Sequence, residues 1–340
     1  MQKYSIFTFN AILFLIFNIP FLIVISFFAL PLLRKAKAGS VSATKNDNMK
    51  KNIKITITAL FCCFVVVGCK QPKPVLNPEA ENDIKFDSIV VNEKYHLLGD
   101  STNPFCTIES YFIFPSKYKD KEVFKKLHFY FIESFFGIDS FYEEGAPLIT
   151  PQNAMENYIK NYIADYKELE SDFITETEVL GKKPSQESWY AYYEMSSNEI
   201  IYNKCDILSF TVSTEYYTGG AHGGHGFNNH VLYLKTGEEI DETDIFIDNY
   251  QDSLAQIIVS TIALDNDVTS AEELEDIGYF NAKEIYPNGN FYLDETGITY
   301  TFNVYEIAPF SLGKTDVFLP YEKIRHLLRE ESPLKPIAFK

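Results

Sequence analysis

Between Ser213 and Gly226 the chain reads STEYYTGGAHGGHG, with five glycines (Gly219, Gly220, Gly223, Gly224 and Gly226) inside eight residues. An element interior cannot carry that density, because each glycine frees the backbone and removes a side chain that could pack. Strand-like runs flank the stretch, Ile207–Val212 before it and His230–Leu234 after it, with Phe227–Leu234 as the returning segment. The pattern predicts a glycine loop between two antiparallel strands. His222 and His225 stand three apart within the loop and His230 follows closely. A loop held on a rigid scaffold is where binding function usually sits.

The beginning of the chain reads as export sequence. Met49-Lys50-Lys51 with Lys54 makes a basic region, Ile55–Val67 an apolar run of signal-peptide length, and Val66-Val67-Gly68-Cys69 a lipobox. The expected mature protein starts at a lipidated Cys69 and continues through a proline-bearing tether over residues 69–85. Upstream, Tyr4–Leu33 has no charged side chain and is long enough to span a bilayer, with Arg34, Lys35 and Lys37 after it. The other reading is that translation starts at Met49. In both, Met1–Asn48 stands outside the fold.

Eight of the 30 Lys+Arg and one of the 47 Asp+Glu precede Cys69, which leaves 22 and 46 and a formal charge of −24 on the mature part. Such a surface repels nucleic acid and anionic lipid and attracts basic partners. Two of the five cysteines, Cys106 and Cys205, fall in the expected domains. An oxidising compartment permits a disulfide between them, and two buried thiols are the alternative.

Periodicity predicts an α+β chain with two domains, each an antiparallel sheet packed with one or more helices. In the first, over 86–203, strands flank the turn Asn103-Pro104, and helices cover Lys121–Phe136 and the stripe Met155, Tyr158, Ile159, Tyr162, Ile163, Tyr166 behind Pro151. Phe173–Val179, Trp189–Met195 and Glu199–Tyr202 read as strands of a meander. In the second, over 206–328, the glycine hairpin leads through a turn at Lys235–Glu238 to a helix over Tyr250–Leu264. A short helix capped by Ser270 and Glu273 comes next. A strand at Phe291–Leu293, a long strand Ile298–Ile307, a strand Thr315–Leu319 and a helix Tyr321–Leu328 follow. Residues 329–340 read as a frayed tail.

Four motifs in order carry a family resemblance: Tyr217-Thr218-Gly219-Gly220-Ala221-His222-Gly223, Leu234-Lys235-Thr236-Gly237, Tyr305-Glu306-Ile307-Ala308-Pro309-Phe310 and Val317-Phe318-Leu319-Pro320-Tyr321. Over roughly 206–328 the chain resembles the extracytoplasmic domain of unknown function found in lysozyme-sensing anti-sigma factors (RsiV-like) and ahead of some peptidoglycan deacetylase domains. The resemblance implies an envelope location and recognition of lysozyme or a similar cell-wall-acting protein. Anti-sigma members reach the cytoplasm through a membrane helix, which a lipoprotein starting at Cys69 lacks, so signalling by that route is not expected. Deacetylase members owe catalysis to a further domain, for which no room is left beyond Leu328.

For chemistry, His222, His225 and His230 are the candidate metal ligands, since three imidazoles can hold a zinc. The helical H-E-x-x-H frame is absent, as are a G-x-S-x-G elbow and a Cys–His signature. The expected binding residues are Tyr216, Tyr217, Thr218, Gly219, Gly220, His222 and Phe227, because aromatic anchors dominate interfaces. Together these features predict a non-catalytic, lipid-anchored envelope protein at the outer membrane or cell surface. No cofactor is expected, and its partner would be a basic protein such as lysozyme or peptidoglycan fragments. The contrasting expectation is a metal-dependent or glycan-acting enzyme centred on His222.

Overall fold

A computed structural model of the chain describes residues 82–137, 149–185 and 189–339. The upstream segment, the signal peptide, Cys69 and the tether up to residue 81 lie outside the described residues. Among the described residues no helix is long and apolar enough to cross a membrane.

Among the described residues nine strands form two sheets. The larger has the order β1 (Lys85–His96), β2 (Phe105–Lys117), β3 (Tyr192–Lys204), β4 (Ile207–Thr218), β5 (Gly224–Tyr233) and β6 (Glu238–Glu239). The smaller is β7 (Phe291–Leu293), β8 (Gly297–Phe302) and β9 (Thr315–Pro320), antiparallel throughout. The α+β class with two sheet regions is therefore as expected, with one difference. β2 and β3 run parallel, so the larger sheet is mixed. Parallel neighbours need a crossover, and α1 (Lys121–Phe136), α2 (Pro151–Lys167) and α3 (Glu170–Leu180) supply it in place of a meander turn.

α1 and α2 begin where their local chemistry says they should. The Asp120 carboxylate accepts from the backbone N–H groups of Glu122 and Val123, Thr150 Oγ1 accepts from Asn153 N, and Pro151 occupies the first turn. Gly137 ends α1 in the left-handed region, at φ 60°. The inner stripe of α1 lies on the sheet. Phe131 stacks on Phe210 of β4 at 4.1 Å, and Phe112 of β2 packs against Phe135 and Phe136.

Four expectations are corrected here. Phe173–Val179 is helical, inside α3. The Thr175 and Thr177 hydroxyls donate to the Ser171 and Phe173 carbonyls one turn back, which satisfies residues that otherwise favour strands. The strand expected over Ile298–Ile307 stops at Phe302, because the Asn303 side chain turns to bond β5 and Tyr305 adopts φ 69°. Residues 329–339 are not a frayed tail. Leu334, Ile337 and Ala338 are buried in the C-terminal core, and Arg329 Nε donates to the Phe246 carbonyl at 2.6 Å. The helix expected at Tyr321–Leu328 is a single α turn followed by a 3-10 turn.

The expected domain boundary at 203–206 falls in the hairpin between β3 and β4. There Cys205 and Asp206 take positive φ, and the sheet continues across it. Alternation along β4 and β5 explains why. Leu208, Phe210, Val212 and Leu232 face a core shared with α1 and α2, while Ile207 and Val231 face a second core built around α4 (Gln251–Asp265) and the small sheet. Among the described residues no disulfide joins Cys106 and Cys205; burial pushes the Cys106 thiol up to about 11.

Because both cores share β4 and β5, residues 82–339 are expected to unfold in one transition. Phe210→Ala, which removes a fully buried ring, should lower stability by about 3–5 kcal/mol. Urea denaturation followed by far-UV and near-UV circular dichroism checks both points. Two separated transitions would contradict the shared-sheet description.

Candidate functional site

The glycine loop is a tight β4–β5 connection whose glycines do different jobs. Gly219 and Gly220 take φ of 80° and 102°, the left-handed region that disfavours other residues. A Cβ on Gly219 would also come 2.9 Å from the Trp189 carbonyl oxygen. Gly223 and Gly224 instead make room for close approach, since a Cβ there would strike the Tyr216 carbonyl at 2.5 Å and the Tyr216 ring at 2.6 Å. The Tyr217 hydroxyl donates to the Gly220 carbonyl at 2.8 Å and closes the turn. Thr218 is exposed at its start.

Pleating divides the expected binding residues. Tyr217 and Phe227 project to one face of the sheet, whereas Tyr216, one residue away, goes to the other and covers Gly224. The face that carries Tyr217 and Phe227 is backed by the C-terminal core at one end only. Its other half is an open groove of about 650 Å³. Register places Val90, Tyr111, Ser197, Ser213 and Phe227 in one row across five strands, and Asn92, Glu109, Met195, Glu215 and His225 in the next. Beyond them lie Lys94, Thr107, Tyr193 and Tyr217, with the last two rings stacked at 6.1 Å.

The Tyr193 hydroxyl donates to Glu215 Oε1 at 3.0 Å. Burial raises the Tyr193 pKa, the hydrogen bond to Glu215 adds to it, and the phenol stays a proton donor at neutral pH. Lys314 borders the groove with its ammonium 4.8 Å from the Phe227 ring centre and paired with Asp316.

The loop motif and the Tyr305–Phe310 motif meet at one end of the groove. The His222 ring stacks on Phe310 at 4.4 Å, its Nδ1 donates to the Gly223 carbonyl at 2.8 Å, and its Nε2 faces the Tyr305 hydroxyl at 3.4 Å. His225 packs against the same Phe310 at 5.4 Å. His230 belongs elsewhere: it stacks on Phe210 on the helix-covered face, and its Nδ1 pairs with Glu239 Oε1 at 2.7 Å. The three histidines weighed as candidate metal ligands are thus split between two faces of the sheet. Among the described residues no group of three His, Cys, Asp or Glu could hold a metal ion.

This wall is fixed by amides rather than by strand pairing. Asn303 Oδ1 accepts from Phe227 N and its Nδ2 donates to Phe227 O, at 2.8 and 3.0 Å, and Asn290 adds bonds to Asn229 N and Phe227 O. These side chains cover the β5 edge, so unpaired backbone groups there are satisfied. Sequence reasoning missed Glu109, Tyr111, Met195 and Lys314 as groove residues. They come from β2, β3 and the segment ahead of β9, and the parallel β2–β3 register sets Glu109 beside Met195.

Two family matches cover this arrangement. Residues 110–225, which supply most of the groove floor, match the family described as deacetylase PdaC. Residues 243–322, which carry Tyr305, Phe310 and Lys314, match the family described as a protein of unknown function, DUF3298. Among solved structures, a DUF3298 family member from Bacteroides fragilis is 32% identical, with a TM-score of 0.68 over 76% of this chain and 99% of that one. A DUF3298 family protein from Pseudomonas aeruginosa is 12% identical, with a TM-score of 0.49 over 74% and 97%. No curated protein matches.

Loop substitutions should separate the two kinds of glycine. Gly219→Val is expected to cost about 1–3 kcal/mol, from positive φ and the Trp189 carbonyl together. Gly226→Ala, where a Cβ meets nothing within 4 Å, should stay within about 0.5 kcal/mol. Equal losses in denaturant titrations would show that the loop conformation is not what these glycines serve.

Proposed function

The chain belongs to the DUF3298 family, and from that premise we propose that it is a lipid-anchored envelope protein that binds a basic, cell-wall-acting protein such as lysozyme, without catalysis. The observation that carries this reading is the half-bare sheet face, bordered by the motifs that resemble the lysozyme-sensing (RsiV-like) domain. A sheet face exposing Val90 and Met195 beside tyrosines is unusual outside an interface, where aromatic anchors and apolar patches concentrate. The −24 charge supports a basic partner, because opposite charges steer encounter. The contrasting enzyme reading needs reactive groups to converge on His222, whose two ring nitrogens face a backbone carbonyl and a tyrosine hydroxyl.

Anchoring through Cys69 is part of the same proposal and rests on the lipobox. Cys69→Ala is expected to leave an unprocessed precursor by intact mass.

For the partner, surface plasmon resonance with immobilised lysozyme is the test. Binding should weaken as salt rises, mainly through slower association, since charge steering is screened over about 10 Å at 0.1 M ionic strength. Tyr217→Ala should speed dissociation at least tenfold, whereas Tyr216→Ala, on the other face, should not. No binding at micromolar protein in low salt would remove lysozyme as partner.

A further inference from the structure

The row Asn92–Glu109–Met195–Glu215–His225 holds two carboxylates that the protein leaves uncompensated. Among the described residues neither Glu109 nor Glu215 has a cation at ion-pair distance, and Glu215 receives only the Tyr193 hydroxyl. A carboxylate has about four acceptor sites, so both keep free capacity. The nearby cations are engaged otherwise: Lys314 with Asp316 and the Phe227 ring, Lys94 over the Phe105 ring at 4.1 Å. Some carboxylates elsewhere have cation partners, as in Lys126–Glu238, Lys183–Asp100 and Arg329–Asp248.

Glu109 and Glu215 lie on β2 and β4, two strands apart, which is roughly 10 Å at ordinary strand spacing. That is too wide for both to ligate one metal ion, whose oxygen ligands lie at about 2.0–2.6 Å. It suits a larger cationic group placed between them. The strand between carries Met195, 41% exposed, so the floor at that point is an adaptable apolar side chain. The stacked Tyr193 and Tyr217 rings stand beside it. Apolar floor, ring edge and flanking carboxylates match a basic side chain, whose stem packs on carbon while its charged head bonds oxygen.

We propose that this groove seats an arginine or lysine side chain of a partner protein, over Met195 and between Glu109 and Glu215, against the Tyr193–Tyr217 pair. The inference rests on the binding reading above and sharpens it to the chemical group recognised. An anionic occupant would meet the two carboxylates. A neutral occupant would desolvate them without a compensating charge, which is unfavourable.

The full chain in detergent, carrying ¹³C-methyl methionine, allows a direct test with hexa-arginine amide as the probe. The Met195 methyl should shift saturably, while that of Met155, buried on the inner face of α2, serves as an internal reference. Glu109→Gln/Glu215→Gln should weaken hexa-arginine at least tenfold. A control pair on the exposed helix surfaces, Glu156→Gln/Glu178→Gln, removes the same charge and should change it less than twofold. Equal weakening by the two pairs, or no shift at Met195, overturns the proposal. A glucosamine oligomer that shifts Met195 where hexa-arginine does not reassigns the groove to an amino sugar and also overturns it. Lysozyme separates the two readings. If the Glu109→Gln/Glu215→Gln chain binds lysozyme within twofold of the unaltered one, the partner stands and the seat falls. If lysozyme fails to bind while hexa-arginine shifts Met195, the seat stands and the partner falls.

Discussion

The structure depends on two strands buried on both faces. In β4 and β5 successive residues alternate between a helical core, through Leu208, Phe210 and Leu232, and a C-terminal core, through Ile207 and Val231. A strand can serve two cores only if its register is locked, because a slip of one residue would exchange the two sets. The glycine loop and the β3–β4 hairpin hold that register from opposite ends. Gly219 and Gly220 supply positive φ at one, and Cys205 and Asp206 do so at the other.

The same strands are longer than the second core is wide. Where the small sheet stops, β4 and β5 continue with one face still covered by helices and the other bare. Aromatic and carboxylate side chains then lie in straight rows set by strand pairing, which orders them more tightly than a loop could. The wall of this groove is the junction of two motifs far apart in sequence, with His222 and His225 against Phe310 and Asn303 clasping Phe227. The glycine loop joins the groove floor to its wall.

Much of this was legible in the sequence wherever a local signal was strong. α1 and α2 follow from stripes and caps, and the hairpin at Ser213–Gly226 from glycine density between strands. Three failures have physical causes. Thr175 and Thr177 favour a strand by propensity, and tertiary context together with their back-bonds to the preceding turn made a helix instead. The alternation in β8 suggested a longer, half-exposed strand, yet Thr299 and Thr301 are buried beside Ile298 and Tyr300. Residues 329–339 are too short to display a period, and their burial depends on contacts with Phe246 and Asp248. For the site, Tyr217 and Phe227 were found because they border the loop. Glu109, Tyr193 and Met195 were not, because strand pairing, and above all the parallel β2–β3 pair, brings them together.

The central claim is that the bare half-face of the larger sheet is the surface that meets the partner. Two exposed valines make a matched pair for photo-crosslinking in the intact envelope: Val90, 71% exposed at the groove, and Val179, 78% exposed on α3. With p-benzoylphenylalanine at either position, the account expects a discrete protein adduct from position 90 and none from position 179. An adduct from position 179 with none from position 90 would contradict it.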